Sequence, residues 1–282
     1  MPGAVKVFGS PSSAEVARVL ACLFEKDVEF QLIRVDSFRG AKRMPQYLKL
    51  QPHGEALTFE DGNVTLVESR KIIRHIADKY KNQGNPDLIG TGALERSSIE
   101  QWLQTEAQSF DVPSADMVYS LAYLPPTTQL DGAAGGKQPT ADGARCEDEQ
   151  QDGRDRQYSR QGQGGAGAGA GGGGRDGQMN AAHRQKVEEM QQLFEKSRKE
   201  LSKVLDIYEQ RLEEAEYLAG DKFTLADLSH LPNADRLAAD PRTLRMLQSR
   251  RNVSRWWADI SGRESWKHVK SLNRPPSAEA PF

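Results

Sequence analysis

The chain has little that would commit it to metal, disulfide, nucleic-acid or membrane chemistry. Only two cysteines, Cys22 and Cys146, occur in 282 residues. They are too far apart for a paired metal motif and too few for a secreted disulfide framework. The five histidines are scattered without metal-ligand spacing, so no metal site is expected. An excess of one charge is also missing: 38 Lys and Arg face 40 Asp and Glu, a net charge of -2. That balance offers no broad field for nucleic acid or an anionic membrane. No apolar run approaches the roughly 20 residues of a membrane span, and the opening MPGAVKVFGSPSS has no basic segment leading into a long apolar stretch. The expectation is a soluble protein of the cytosol, with small molecules or proteins as partners and neither nucleic acid nor membrane.

What is present falls into three blocks. Residues 1–84 alternate strand-like and helix-like segments. AVKVF is a β-type run, Val16, Val19, Leu20 and Leu23 recur at helical spacing, and VEFQLIRV is a second strand. PQYLKLQ reads as a helical turn, EALTF and VTLV as a hairpin around Asp61 and Gly62, and SRKIIRHIADKY as an amphipathic helix. The order β-α-β-α-β-β-α predicts a mixed sheet with helices packed on it. A linker over residues 85–94 separates this unit from an all-helical one over residues 95–275. There, Leu94, Ile99, Trp102, Leu103 and Phe110 form one apolar side. A long helix from about Ala181 to Leu212 carries Met190, Phe194, Leu201, Leu205, Tyr208 and Leu212 at three-or-four spacing.

The helical unit is interrupted by residues 127–180, which contain GGAGAGAGGGGRDG and almost no large apolar side chains. Such a composition cannot bury enough apolar surface to offset the entropy of ordering, so a disordered insertion is expected. Loop closure grows only logarithmically with length, and the fold should tolerate it. Its GQGGAG matches a dinucleotide fingerprint by letter only, since no strand precedes it and no apolar helix follows closely.

Three junctions could carry chemistry or simply cap helices. Ser12 and Ser13 stand where the first strand gives way to a helix. Either hydroxyl could cap the free N–H groups, or hydroxyl and N–H groups together could stabilise an anion such as a thiolate. Glu68 and Ser69 open the helix bearing Ile72, Ile73 and Ile76. A hydroxyl with free N–H groups accepts a carboxylate and a Glu accepts an ammonium, which together suit the amino-acid end of a zwitterion. An ordinary capped helix is the other reading. Thr224 three residues before Asp227 is a capping-box variant, read as structural. Trp256 and Trp257 read as core packing, and Cys22 as a packed thiol.

Four segments in this order resemble the soluble glutathione transferases, most closely the plant phi class: VKVFG with SSAEVARVL, then YLKLQPHGEALTFEDGNVTLVESRKIIRHIADKY, then VLDIYEQRLEEAEYLAGDKFTLADLSHLPN, and NVSRWW. The resemblance spans nearly the whole chain outside the Gly-rich block. It implies a thioredoxin-like N-terminal domain, an all-helical C-terminal domain that helps build an apolar pocket, and a homodimer. It also implies glutathione as co-substrate, whose thiolate attacks apolar electrophiles in detoxification or reduces organic hydroperoxides. In the family a Ser after the first strand donates a hydrogen bond to that thiolate and lowers its pKa. The matching position is Ser13, with Ser12 adjacent. Lys42 and Arg43 match a basic pair that binds the glycine carboxylate, and Glu68 and Ser69 match the residues that hold the γ-glutamyl end. Glu55 and Ala56 stand in the stretch that runs along the tripeptide. Tyr119, Leu121 and Tyr123 are candidates for walls of the apolar pocket.

Two positions depart from the family pattern. Glu55 replaces a Gln and brings a negative charge near an anionic peptide. Leu57 replaces a cis-proline, and a cis bond costs about 2.5–4 kcal/mol before a non-proline residue against about 0.5–1 before proline. The expectation is a weakened glutathione site. The alternative to a working transferase is a weakly active or non-catalytic carrier of apolar ligands with the same fold.

Overall fold

The computed structural model describes residues 5–34, 57–125 and 173–273. Lys42, Arg43, Glu55, Ala56, the PQYLKLQ turn and the GQGGAG match lie outside these residues.

The N-terminal part is built from β1 (Val5–Gly9), α1 (Ala14–Glu25), β2 (Phe30–Ile33), β3 (Leu57–Asp61), β4 (Val64–Leu66) and α2 (Ser69–Lys79). The strands form one sheet in the order β2-β1-β3-β4. β1 runs parallel to β2, as a βαβ unit requires, and antiparallel to β3, with Val7 opposite Phe59 and Gly9 opposite Leu57. β3 and β4 close as the expected hairpin through Gly62, whose φ of +65° suits a residue without Cβ. Val16, Val19, Leu20 and Leu23 of α1 are all fully buried, as are Ile72, Ile73 and Ile76 of α2.

The helical part contains α3 (Ala93–Thr105), a π-helical turn (Glu106–Phe110), α4 (Asp111–Leu121), α5 (Gly173–Glu214), α6 (Leu225–Ala238), α7 (Pro241–Gln248), α8 (Arg251–Ser261) and α9 (Glu264–Leu272). Of the apolar side expected on the first of these helices, Ile99, Leu103 and Phe110 are buried. Leu94 is 89% exposed, because it lies in the first turn at the helix end and not over the core. The helix expected from about Ala181 begins at Gly173, so the backbone of residues 173–180 is helical although their composition argues for disorder. Extending an existing helix adds a hydrogen bond for each residue fixed, whereas starting one is costly.

α6 lies at the centre, and 11 of its 14 residues are buried. A capping box starts it: Thr224 Oγ1 accepts from Ala226 N–H and Asp227 accepts from Thr224 N–H at 3.1 Å. Asp227 also accepts from Leu218 N–H and from Trp256 Nε1 at 2.9 Å, which ties α8 to the same cap. Around it Phe110, Tyr208, His230 and Trp256 pack edge-on or stacked. Trp256 is fully buried and Trp257 partly so.

The two parts are joined tightly. Glu25, at the end of α1, accepts from Arg263 at 2.7 and 2.8 Å, from Ser265 at 2.6 Å and from Asn85 at 2.9 Å. Its carbonyl accepts from Asn85 N–H, and Gly84 passes so close that a Cβ there would come within 2.4 Å of the same oxygen. α1 is thereby held against the helical part.

Candidate functional site

The end of the sheet where β1 stops gathers the two sequence-predicted helix junctions. Gly9, the last residue of β1, pairs with Leu57, the first of β3. β4 runs antiparallel to β3 and ends at Leu66, two residues before Glu68, at the same end of the sheet. The turn leading from Gly9 to Ser13 and the Glu68-Ser69 junction therefore share one rim of the sheet, each at the start of a helix.

Ser13 occupies the N-cap position of α1 with extended backbone, yet its side chain makes no capping bond. Of the two readings of this junction, simple capping is the one the geometry does not support. The first-turn N–H groups remain available to an anion, and the hydroxyl beside them is partly buried. Ser12 is exposed and its hydroxyl is paired with Ser10 Oγ at 2.7 Å. The carbonyl of Ser12 accepts from Arg236 of α6, a residue that sequence spacing did not single out.

Glu68 is the N-cap of α2, also without a capping bond; its exposed carboxylate accepts from Lys71 at 2.6 Å. Ser69 is buried and accepts from Arg18 Nη1 at 2.8 Å. A hydroxyl that accepts this way keeps its own O–H to donate outward.

Behind Ser69 lies a buried charge network. Arg18 donates to Glu106 Oε1 at 3.2 Å and to the Ser229 carbonyl at 3.2 Å, and lies 3.6 Å from Asp111. Arg70 grips Glu106 with two bonds of 2.7 and 2.9 Å and meets Asp111 at 3.2 Å. Asn233 donates to Asp111 at 2.8 Å. Two guanidinium groups thus balance two carboxylates, which is what makes burial of Arg18 and Glu106 tolerable. Burial pulls the Arg18 pKa below its ordinary value, against the opposing pull of Glu106. For Arg70 burial acts the same way but is outweighed by Glu106 and then Asp111, so its pKa is raised.

Sequence reasoning missed this network. Its one local signal is Arg18, a cation inside the otherwise apolar run VARVLACL.

Among the pocket-wall candidates, Tyr119 and Tyr123 are brought together, with hydroxyls 3.2 Å and ring centroids 5.3 Å apart on an exposed face. Leu121 is not with them. It packs against the core, because two residues along a helix is about 200° around it. Cys22 is fully buried, donates weakly to the Ile73 carbonyl, and is pushed far above the ordinary thiol pKa by burial. It is a packing residue. No group of three or more His, Cys, Asp or Glu among the described residues is placed to hold a metal ion, and no described helix is long and apolar enough to cross a membrane.

Comparison with known proteins agrees with this architecture. The family model described as "Glutathione S-transferase, N-terminal domain" matches residues 3–78, and "Glutathione S-transferase, C-terminal domain" matches residues 176–264. The chain is 32% identical over 262 residues to glutathione S-transferase F10 of Arabidopsis thaliana, covering 93% of this chain and 94% of that one. It is 34% identical over 271 residues to glutathione S-transferase APIC of Nicotiana tabacum, covering 96% and 98%. Among solved structures, glutathione transferase F2 of Populus trichocarpa superposes with a TM-score of 0.70 at 38% identity, covering 95% and 98%.

Proposed function

Because the chain belongs to the glutathione S-transferase family and its relatives are plant phi-class members, we propose that it conjugates the thiolate of glutathione to apolar electrophiles, with Ser13 as the residue that stabilises the thiolate. The observation that carries the reading is the uncapped Ser13 at the sheet rim it shares with Ser69. The Ser13 O–H donates to the sulfur and, with the first-turn N–H groups of α1, favours the ionised thiol; the thiol proton leaves to solvent. The thiolate then forms a C–S bond to the electrophilic carbon, and the leaving group departs with the bonding electron pair. Reduction of an organic hydroperoxide by the same thiolate is the second activity.

Recognition of the tripeptide divides along the rim. Ser69 donates to the γ-glutamyl carboxylate, held in place by Arg18, while Glu68 takes the ammonium. Lys42 and Arg43 pair with the glycine carboxylate, and Glu55 and Ala56 flank the peptide. Glu55 and Leu57 weaken this site relative to the family pattern. Tyr119 and Tyr123 offer the aromatic wall for the electrophile. The division into a glutathione-binding unit over 1–84, a linker over 85–94, and a helical unit over 95–275 interrupted by the insertion at 127–180 belongs to the same proposal. So do a homodimer, a cytosolic location, a role in detoxification and independence from metal.

The alternative of a non-catalytic carrier draws on the Glu55 and Leu57 departures and on the engagement of Glu68 by Lys71. The relatives' shared designation as transferases favours the enzyme. The test is conjugation of glutathione to a generic aromatic electrophile by the native chain and by Ser13→Ala. The expected result is a rate fall of tenfold or more, in line with loss of about 1.4 kcal/mol or more of thiolate stabilisation; equal rates would remove Ser13 from the mechanism.

A further inference from the structure

α6 carries Ser229, Asn233 and Arg236 at spacings of four and three, hence on one face. That face follows the seam against α1. The Ser229 carbonyl accepts from Arg18, Asn233 donates to Asp111, and Arg236 donates from Nη2 to the carbonyl of Ser12. The last contact falls on the peptide that links Ser12 to Ser13. The N–H of that same peptide donates to the Ser10 carbonyl at 2.9 Å. Because a peptide unit is planar and rigid, bonds at both its ends fix the orientation from which the Ser13 side chain departs.

Arg236 is partly buried and forms no ion pair with a described carboxylate. The charged groups around it are Arg18 from α1, Asp111 from α4 and its neighbour Asp235. Asp235 is itself engaged by Trp266 at 3.1 Å and Lys270 at 3.4 Å of α9. A positive charge without an ion-pair partner among the described residues thus lies beside the turn that Ser13 terminates. An unneutralised cation in a partly desolvated setting favours a nearby anion more strongly than an exposed one does.

We propose that Arg236 is a positioning residue for the thiolate site, clamping the Ser12 carbonyl so that the Ser13 hydroxyl faces the sulfur and supplying a positive charge that favours its ionisation. The inference rests on the assignment of Ser13 made above. It gives the helical part of the protein a share in activating glutathione.

The experiment reads the ultraviolet absorbance of bound glutathione thiolate against pH, with conjugation kinetics, for the full chain and for Arg236→Lys, Arg236→Gln, Arg236→Met and Ser13→Ala. Removing the charge in the Gln and Met variants is expected to raise the apparent thiol pKa by about 0.5–1 pH unit, a loss of roughly three- to tenfold in thiolate fraction below that pKa. Their kcat/KM should fall by the same factor at low pH and converge with the native value at high pH, while the Lys variant recovers most of the loss. The Lys and Gln variants keep a hydrogen-bond donor, so the comparison stands even if Arg236→Met folds poorly. An unchanged thiol pKa in the Gln variant overturns the proposal, whatever happens to thermal stability. If Ser13→Ala leaves the thiol pKa unchanged while Arg236→Gln raises it, the Ser13 assignment fails and the charge role of Arg236 stands.

Discussion

Arg18 and Ser69, 51 positions apart, are joined by a 2.8 Å hydrogen bond in which the guanidinium donates and the hydroxyl accepts. Both are buried, and the bond links the first helix to the first turn of the second. It occupies the Ser69 oxygen as an acceptor and leaves its O–H to donate, while Glu106 balances the Arg18 charge from the helical part. Arg18 therefore ties the proposed γ-glutamyl site to the attachment of the two parts of the molecule.

Replacing Arg18 tests that double role. Arg18→Met removes one partner of a buried ion pair and leaves Glu106 with Arg70 alone, which should cost about 3–5 kcal/mol of unfolding free energy. Urea denaturation with matched m-values measures it. A loss below about 1 kcal/mol would mean that the pair is not what secures this interface.

Ser69→Ala separates recognition from folding. The missing hydroxyl leaves Arg18 Nη1 short of one acceptor, at a cost of about 1–3 kcal/mol in stability, and withdraws a charge-assisted bond of similar size from the glutathione carboxylate. KM for glutathione is expected to rise by about tenfold or more while kcat changes less. An unchanged KM would place the γ-glutamyl end elsewhere.

The pair of Lys71 and Glu68 makes an opposite prediction. Both side chains are exposed, so the pair is worth only about 0.2–1 kcal/mol, and freeing Glu68 in Lys71→Ala should tighten glutathione by at most about fivefold. Retention on immobilised glutathione and titration calorimetry follow the change. Weaker binding in this variant would show that the Lys71 charge helps to hold the peptide.

His230 sets a pH dependence of stability. Burial, only partly offset by its bond to the Ala226 carbonyl, lowers its pKa to about 3 from an ordinary value of 6.5, and it stays neutral, bonded to the Tyr208 hydroxyl at 2.8 Å. The folded value is below the unfolded one, so the contribution is fully present above pH 6.5 and is lost as pH falls toward 3. In that window the unfolded chain carries one more proton, and stability should fall by about 1.4 kcal/mol per pH unit from this group. Glu25 adds to the loss at its lower end: burial opposes its ionisation, but Arg263, Ser265 and Asn85 outweigh that and depress its pKa from 4.5. Its share is present above pH 4.5 and disappears below. Denaturation curves at several pH values, compared with His230→Leu, check the first slope, which the variant should lack.

Local pattern carried the reading wherever the interacting groups are near in sequence. The Thr224-Asp227 cap spans three residues, the β3–β4 hairpin turns within two, and the apolar stripes of α1, α2 and α5 repeat with the helical period, so each was legible as letters at fixed spacing. Leu94 went differently because spacing assigns a face but not whether the helix end lies over the core, Leu121 because two positions along a helix turn it away from Tyr119, and α5 starts early because composition says little about how far a nucleated helix propagates.

By itself the sequence determined the class of fold, the two helix junctions that make the rim, and, through its resemblance to a family, the chemistry expected there. Only the tertiary structure decided that the Ser13 side chain is not spent on its own helix, that Ser69 is backed by Arg18, and that Arg236 closes on the Ser12 carbonyl. These contacts join residues 51 to 224 positions apart. A charge is stabilised by whatever lies within a few ångströms of it, and chain spacing does not encode that distance once the helices have packed.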